Sequence, residues 1–276
     1  MADAFKTLIF LHIPKAGGNS FLSFLTPNYP EANRFDVSDG LRYVDRLNEL
    51  ESLPDDRKGT LRLIYGHLPF GVHEWIPQTC QYITVLRDPV DRVLSQYYFI
   101  RERKPHPLHE QVVSSSMTIA DFVKSALTGE SNNGMVRLLC GRHESDSLRG
   151  HEPCRVADLE TAKRNIDAKF LMVGLLEQMH QTQQLLARVL GWEEKEPVRR
   201  NQTRNRKPVQ SLSSTDREVI EQYNELDMEL YNWASTRFRK QCEEIGINDA
   251  SQETGFGARI LAPLDVCRRF FAGRLS

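Results

Sequence analysis

The chain has 276 residues, with 36 Lys and Arg against 37 Asp and Glu and 40% hydrophobic residues, the balance of a folded globular protein of one large or two small domains. A net charge of −1 argues against a non-specific nucleic-acid binder, so any bound anion must be met by a local basic cluster. Five scattered cysteines (Cys80, Cys140, Cys154, Cys242, Cys267) show no C-x-x-C spacing, which argues against a zinc site or disulfide framework and makes a reducing cytoplasm the expected compartment. The apolar run Thr7–Ile13 is too short for a signal-peptide core, and no run approaches the roughly 20 apolar residues of a membrane span.

Thr7–Ile13 has the length and continuity of a strand covered on both faces. It runs into Pro14-Lys15-Ala16-Gly17-Gly18-Asn19-Ser20 and then into Phe21, Leu22, Phe24 and Leu25: strand, Gly-rich turn, helix. Helical spacing follows at 40–50, a short strand at 62–66 and a stronger one at 81–86. After Arg87-Asp88, Pro89 stands in the first turn of a predicted helix, where its missing N–H is harmless. Residues 104–116, rich in Pro, His and Ser, read as a surface loop. Helices are expected at 118–127, 156–168, 177–190 and 213–240, with a strand at 170–173. Strands alternating with helices imply an α/β layer fold with a mainly parallel central sheet flanked by helices. We read residues 1–246 as one domain and 247–276 as a basic, apolar tail that is either a peripheral segment or docked helix, or an amphipathic partner or membrane-surface contact.

Two motifs carry chemistry. In the first, the turn after the leading strand places backbone N–H groups at a helix N-terminus, where the dipole also favours an anion. Gly17 and Gly18 allow close backbone approach, Lys15 adds charge, and Asn19 or Ser20 can donate. Because Lys15 precedes the glycines, this is not the G-x-x-x-x-G-K-[ST] phosphate loop; the bland alternative is a plain strand-to-helix turn. The second motif, Arg87-Asp88-Pro89-Val90-Asp91-Arg92-Val93-Leu94-Ser95, puts an arginine at a strand's carboxyl end and a serine two helical turns on, able together to hold a second phosphate. Arg92 is expected in a salt bridge on its own helix, and Tyr97 and Tyr98 in packing.

Together, in order and spacing, these motifs resemble the sulfotransferases that use 3′-phosphoadenosine 5′-phosphosulfate. The Pro14–Ser20 turn is similar to that family's 5′-phosphosulfate loop, and the run from Arg87 to Tyr98 to its 3′-phosphate strand and helix. Tyr65-Gly66-His67 resembles the G-H pair that supplies a catalytic base in the branch of heparan sulfate 2-O-sulfotransferase and its bacterial relatives, with Tyr65 where that enzyme has a second histidine. Val173-Gly174-Leu175-Leu176-Glu177 and the loop at 201–208, with Asn201, Thr203 and Arg204 and overlapping the basic run 199–207, resemble further elements, and Asn132–Arg137 resembles one near the acceptor cleft. The resemblance covers about residues 5–240.

It implies a P-loop-like three-layer fold and sulfuryl transfer to a hydroxyl, with a saccharide the expected acceptor. It also implies His67 as general base, Lys15 in catalysis, and donor binding by Lys15, Ala16, Gly17, Gly18, Asn19, Ser20, Arg87, Ser95, Asn201, Thr203 and Arg204. No metal, nucleic acid or membrane span enters this reading. His12 inside the leading strand reads as core, His73 as an acceptor neighbour without a motif, and His106 and His109 as loop residues. The rivals are an ATP-dependent small-molecule kinase and a non-catalytic nucleotide- or glycan-binding protein. Acceptor identity and oligomeric state are not legible in the sequence.

Overall fold

The computed structural model describes residues 5–38, 43–142, 152–193 and 208–247. The chain runs β1 (Thr7–Leu11), α1 (Gly18–Leu25), β2 (Arg34–Val37), α2 (Tyr43–Ser52), α3 (Asp55–Thr60) and β3 (Leu63–Gly66). It continues through β4 (Cys80–Leu86), α4 (Pro89–Glu102), α5 (His109–Ser114), α6 (Ile119–Lys124), α7 (Gly134–Leu139) and α8 (Val156–Lys169). β5 (Phe170–Leu175), α9 (Met179–Leu190), α10 (Ser214–Tyr223) and α11 (Glu225–Ile245) complete it.

The five strands form one sheet in the order β2-β3-β1-β4-β5, every neighbouring pair parallel. All residues of β1 and β5 and all but Gln81 of β4 are buried, so side chains on both faces are covered. That is why these strands read as continuous apolar runs without alternation. The edge strand β2 alternates instead, with Phe35 and Val37 buried and Asp36 exposed. The main core follows the sheet, while a second apolar cluster joins Val93 and Ile100 of α4 to Val112, Phe122 and Ile220.

Two expectations need correction. Residues 104–116 are not only loop: α5 lies within them, with Val112 fully buried in the second cluster and His109 Nδ1–H donating to the Ile100 carbonyl. The single helix over 213–240 is two helices that break at Asn224, whose backbone leaves the helical region at φ −126° and ψ 29°. The Asn224 side chain donates to the Ser131 and Ile220 carbonyls and accepts from the Asn133 N–H, so tertiary hydrogen bonds override local periodicity there. The sequence reading also passed over β2, α3 and α7, each of six residues or fewer.

Candidate functional site

β1 lies between β3 and β4, so the chain leaves three adjacent strands at one edge of the sheet, the edge where parallel α/β sheets open a ligand crevice. The Pro14–Gly17 turn, His67 and Arg87 stand on these three exits, one on each.

Lys15 and Gly17 both take left-handed backbone, at φ 66° and 80°, which turns the chain sharply from β1 into α1. The glycines are required by what lies beneath the turn. A Cβ on Gly17 would stand 2.4 Å from Leu176 Cδ1, and one on Gly18 would stand 1.8 Å from His12 Nε2. Ala16 is buried, Asn19 exposed and Ser20 half-buried. At the start of α1 the Ser20 and Phe21 N–H groups donate to the Gly17 carbonyl, which leaves those of Gly18 and Asn19, and with the dipole these favour an anion at this turn. Lys15 Nζ lies 3.9 Å from the centroid of the Phe99 ring of α4, a cation–π contact that brings the lysine against that helix.

Arg87 follows β4 directly. Its Nη1 donates to the Lys15 carbonyl at 2.8 Å, while Nε and Nη2 both reach Asp91 Oδ2 one helical turn on. Ser95, one further turn along the same face of α4, is buried, and no hydrogen bond joins it to Arg87. Asp88 caps α4 by accepting from the Asp91 N–H. The 3′-phosphate pair expected from sequence therefore flanks a carboxylate that already holds the arginine's fork. The i, i+4 spacing of Arg87 and Asp91 was the available signal for that pairing.

His67 follows Gly66, whose φ of 141° and whose missing Cβ, which would lie 2.5 Å from the Val37 carbonyl carbon, require glycine. The His67 Nδ1 lies 3.0 Å from the His12 carbonyl oxygen. A carbonyl only accepts, so Nδ1 carries the hydrogen and, in the neutral ring, Nε2 carries the lone pair. Burial lowers the His67 pKa from the ordinary imidazole value and Lys15 adds to that, against the His12 carbonyl and Asp36, which raise it. His12 is held well below the ordinary value by burial, with His67 and Lys15 contributing.

Other candidates fall outside this cluster. Arg92 is fully buried, and its partner is Asp227 on α11 rather than a residue of its own helix, which corrects the expected intrahelical bridge. Asp227 also accepts from the Met135 and Val136 N–H groups, and Asn133 Oδ1 accepts from those of Leu226 and Asp227, so α7 and α11 cap each other. The Asn132–Arg137 element builds that joint. Tyr97 packs as expected, its hydroxyl donating to the Met117 carbonyl. His73 shares its Nδ1 with the Tyr82 hydroxyl. Glu177 accepts from the Asp88 N–H and the Tyr231 hydroxyl, tying the end of β5 to the start of α4 and to α11. Asn201, Thr203, Arg204 and the rest of the 199–207 run lie outside the described residues, as does the tail beyond Ile247. Among the described residues, no group of three His, Cys, Asp or Glu is placed to hold a metal ion, and no helix is long and apolar enough to cross a membrane.

Comparison with known proteins gives the family. Heparan-sulfate 6-O-sulfotransferase 1 of Cricetulus griseus is 26% identical over 276 aligned residues, covering 85% of this chain and 67% of that protein. Uronyl 2-sulfotransferase of Homo sapiens is 32% identical over 120 residues, 40% of this chain and 28% of that protein. The chain thus spans about two thirds of the length of the heparan-sulfate relatives and far less of the uronyl one. Among solved structures, mouse sulfotransferase SULT7A1 complexed with PAP superposes with a TM-score of 0.41 at 16% identity, covering 69% of this chain and 60% of that one. The galactose-3-O-sulfotransferase family profile matches residues 29–256, from β2 through α11 and beyond, beginning after the Lys15 turn. This chain belongs to the galactose-3-O-sulfotransferase family.

Proposed function

We propose that the protein transfers a sulfuryl group from 3′-phosphoadenosine 5′-phosphosulfate to a hydroxyl of a saccharide. The observation that carries this reading is the meeting of the Lys15 turn, His67 and Arg87 on three adjacent strand exits, with Arg87 hydrogen-bonded to the Lys15 carbonyl. In the proposed reaction the acceptor oxygen forms a bond to sulfur. The bond from sulfur to the 5′-phosphate oxygen breaks, and adenosine 3′,5′-bisphosphate leaves. The hydroxyl proton goes to His67 Nε2, the nitrogen left with a lone pair by the hydrogen bond of Nδ1. Lys15 and the first-turn amides of α1 balance the charge that develops on the leaving oxygen. Positioning and charge stabilisation then supply most of the acceleration, as in phosphoryl transfer.

Arg87 and Ser95 are assigned to the donor's 3′-phosphate, with Ala16, Gly17, Gly18, Asn19 and Ser20 around the 5′ end. We place Asn201, Thr203 and Arg204 over the nucleotide. A saccharide acceptor is favoured by the relatives, a heparan-sulfate 6-O-sulfotransferase and a uronyl 2-sulfotransferase. The 2-O branch is favoured by the Tyr65-Gly66-His67 order, though Tyr65 carries a phenol whose pKa burial and the nearby Asp36 raise, and so offers no second imidazole.

The test is transfer of labelled sulfate from the donor to a panel of uronate- and galactose-containing oligosaccharides, with ATP and Mg²⁺ as the competing pair. Sulfated product with no phosphorylated product is expected. Phosphoryl transfer, or nucleotide binding with no transfer to any acceptor, would refute the proposal.

A further inference from the structure

His12 is nine-tenths buried, its Nδ1 has no hydrogen-bond partner, and it stands against both halves of the candidate site. The parallel register of β1 and β3 pairs Leu11 with Gly66, so the next residue on each chain, His12 and His67, lies side by side past the end of the ladder. The His12 N–H donates to the Gly66 carbonyl and extends that register by one step. The two imidazoles stack with centroids 4.5 Å apart and an interplanar angle of 28°. That separation is close to the 4.7–4.9 Å spacing of neighbouring strands, as expected for side chains one step beyond a shared register. On its other side the His12 ring stacks on Phe10, two residues earlier on the same strand face, at 5.5 Å and 13°. Its Nε2 edge fills the space where Gly18 has no side chain.

We propose that His12 is a positioning residue for His67: its ring, wedged between Phe10 and Gly18, is the platform that fixes the His67 imidazole beside the donor turn. The inference rests on the reading of His67 as general base and goes beyond it by giving that base a support. A single aromatic layer thereby links α1, which begins at the donor turn, to β1 and to the acceptor side at β3. Displacing the ring would free His67 to rotate about its side-chain bonds while leaving the residue-12 carbonyl, which belongs to the backbone, available to Nδ1.

The charged and titratable groups facing His67 are Asp36 from β2, Lys15 from the turn after β1, and His12 itself. Because burial lowers the pKa of both rings, the stacked pair is uncharged near neutral pH, and His67 Nε2 keeps its lone pair. An unpartnered buried nitrogen is a cost to folding that an apolar ring would not carry, which makes phenylalanine the informative rescue.

The experiment follows the His67 imidazole by ¹H–¹⁵N NMR titration in the full chain and in His12→Asn and His12→Phe, with the affinity for adenosine 3′,5′-bisphosphate measured alongside. His12→Asn removes the ring; His12→Gln takes its place if the Asn chain does not fold. In the wild type His67 should hold its hydrogen on Nδ1 and titrate below the free imidazole value. In His12→Asn the midpoint should move up toward that value and turnover should fall about 10- to 100-fold, the scale of a reactive group displaced by an ångström. Nucleotide affinity should change little, and His12→Phe should restore the low midpoint and most of the turnover. A folded His12→Asn chain with the wild-type midpoint, or a His12→Phe midpoint raised as far as that of His12→Asn, would overturn the proposal. Should the wild type move no sulfate while His67 titrates as described, the functional reading fails and the platform stands.

Discussion

Arg87 Nη1 donates to the carbonyl oxygen of Lys15 across 72 residues of sequence, at 2.8 Å. The bond joins the exit of β4 to the exit of β1 and makes the two motifs proposed to bind the donor one unit. A substitution at Arg87 therefore removes a charge and also releases the backbone of the Lys15 turn.

Ser95 has no such second task, so the two residues should differ when mutated. Ser95→Ala is expected to weaken adenosine 3′,5′-bisphosphate while leaving adenosine 5′-phosphate nearly unchanged. Arg87→Ala is expected to cost the bisphosphate about 1.5–3 kcal/mol, the range for hydrogen bonds to charged groups, and to weaken the monophosphate by less. Calorimetric titration of both ligands checks this. Equal weakening of the two ligands by Ser95→Ala would remove it from the 3′-phosphate site.

Asp91 occupies the Nε–Nη2 fork of Arg87, the group proposed to hold the donor's 3′-phosphate. Asp91→Asn removes the competing charge while keeping the size of the side chain and the helix-cap hydrogen bond of the residue-91 N–H. Tighter bisphosphate binding is expected, by no more than about 1 kcal/mol since the pair is partly solvated. Weaker binding would mean that Asp91 orients Arg87 for the ligand instead of competing with it.

For a general base, turnover requires the neutral ring. Burial and Lys15 place the His67 midpoint below the ordinary 6.5, so activity should hold through neutral pH and fall only as pH drops through that lower midpoint. His67→Ala should lower turnover by roughly 10²–10⁴-fold and leave nucleotide affinity intact. The linked stability has the same sign. With folded midpoints depressed for both His67 and His12, the unfolded chain binds protons first, so stability is full above about pH 6.5 and declines as pH falls below it. A pH–rate profile and thermal melts between pH 7.5 and 5 check both statements. An acid limb at or above 6.5 would place another group in the base role.

The buried pair Arg92–Asp227 holds α4 to α11, and Asp227 also caps α7. Asp227→Ala would strand the Arg92 charge, whose Nε and Nη1 are already without partners, and should destabilise the fold by about 3–5 kcal/mol. Removing the charge as well, in Arg92→Met with Asp227→Ala, should recover part of that loss. Chemical denaturation of the single and double variants decides; a double variant no more stable than Asp227→Ala alone would show that the cap at α7 carries the whole effect.

The sequence by itself determined the strands that are buried on both faces, because such strands read as unbroken apolar runs: β1, β4 and β5 stand where Thr7–Ile13, 81–86 and 170–173 place them. It also determined the turn that begins at Pro14 and closes at Gly17, and the start of α4, since glycine and proline at fixed offsets have local conformational causes. Tertiary structure alone decided the rest. Asn224 breaks a periodic helix because its side chain bonds to Ser131 and Asn133, about ninety residues away. Val112 converts a Pro- and His-rich stretch into α5 because α4 offers it a dry surface. The sequence assigned His12 to the core, and it is buried; that it lies under His67 follows from the register of β1 on β3, a relation between strands some fifty residues apart that no local pattern encodes.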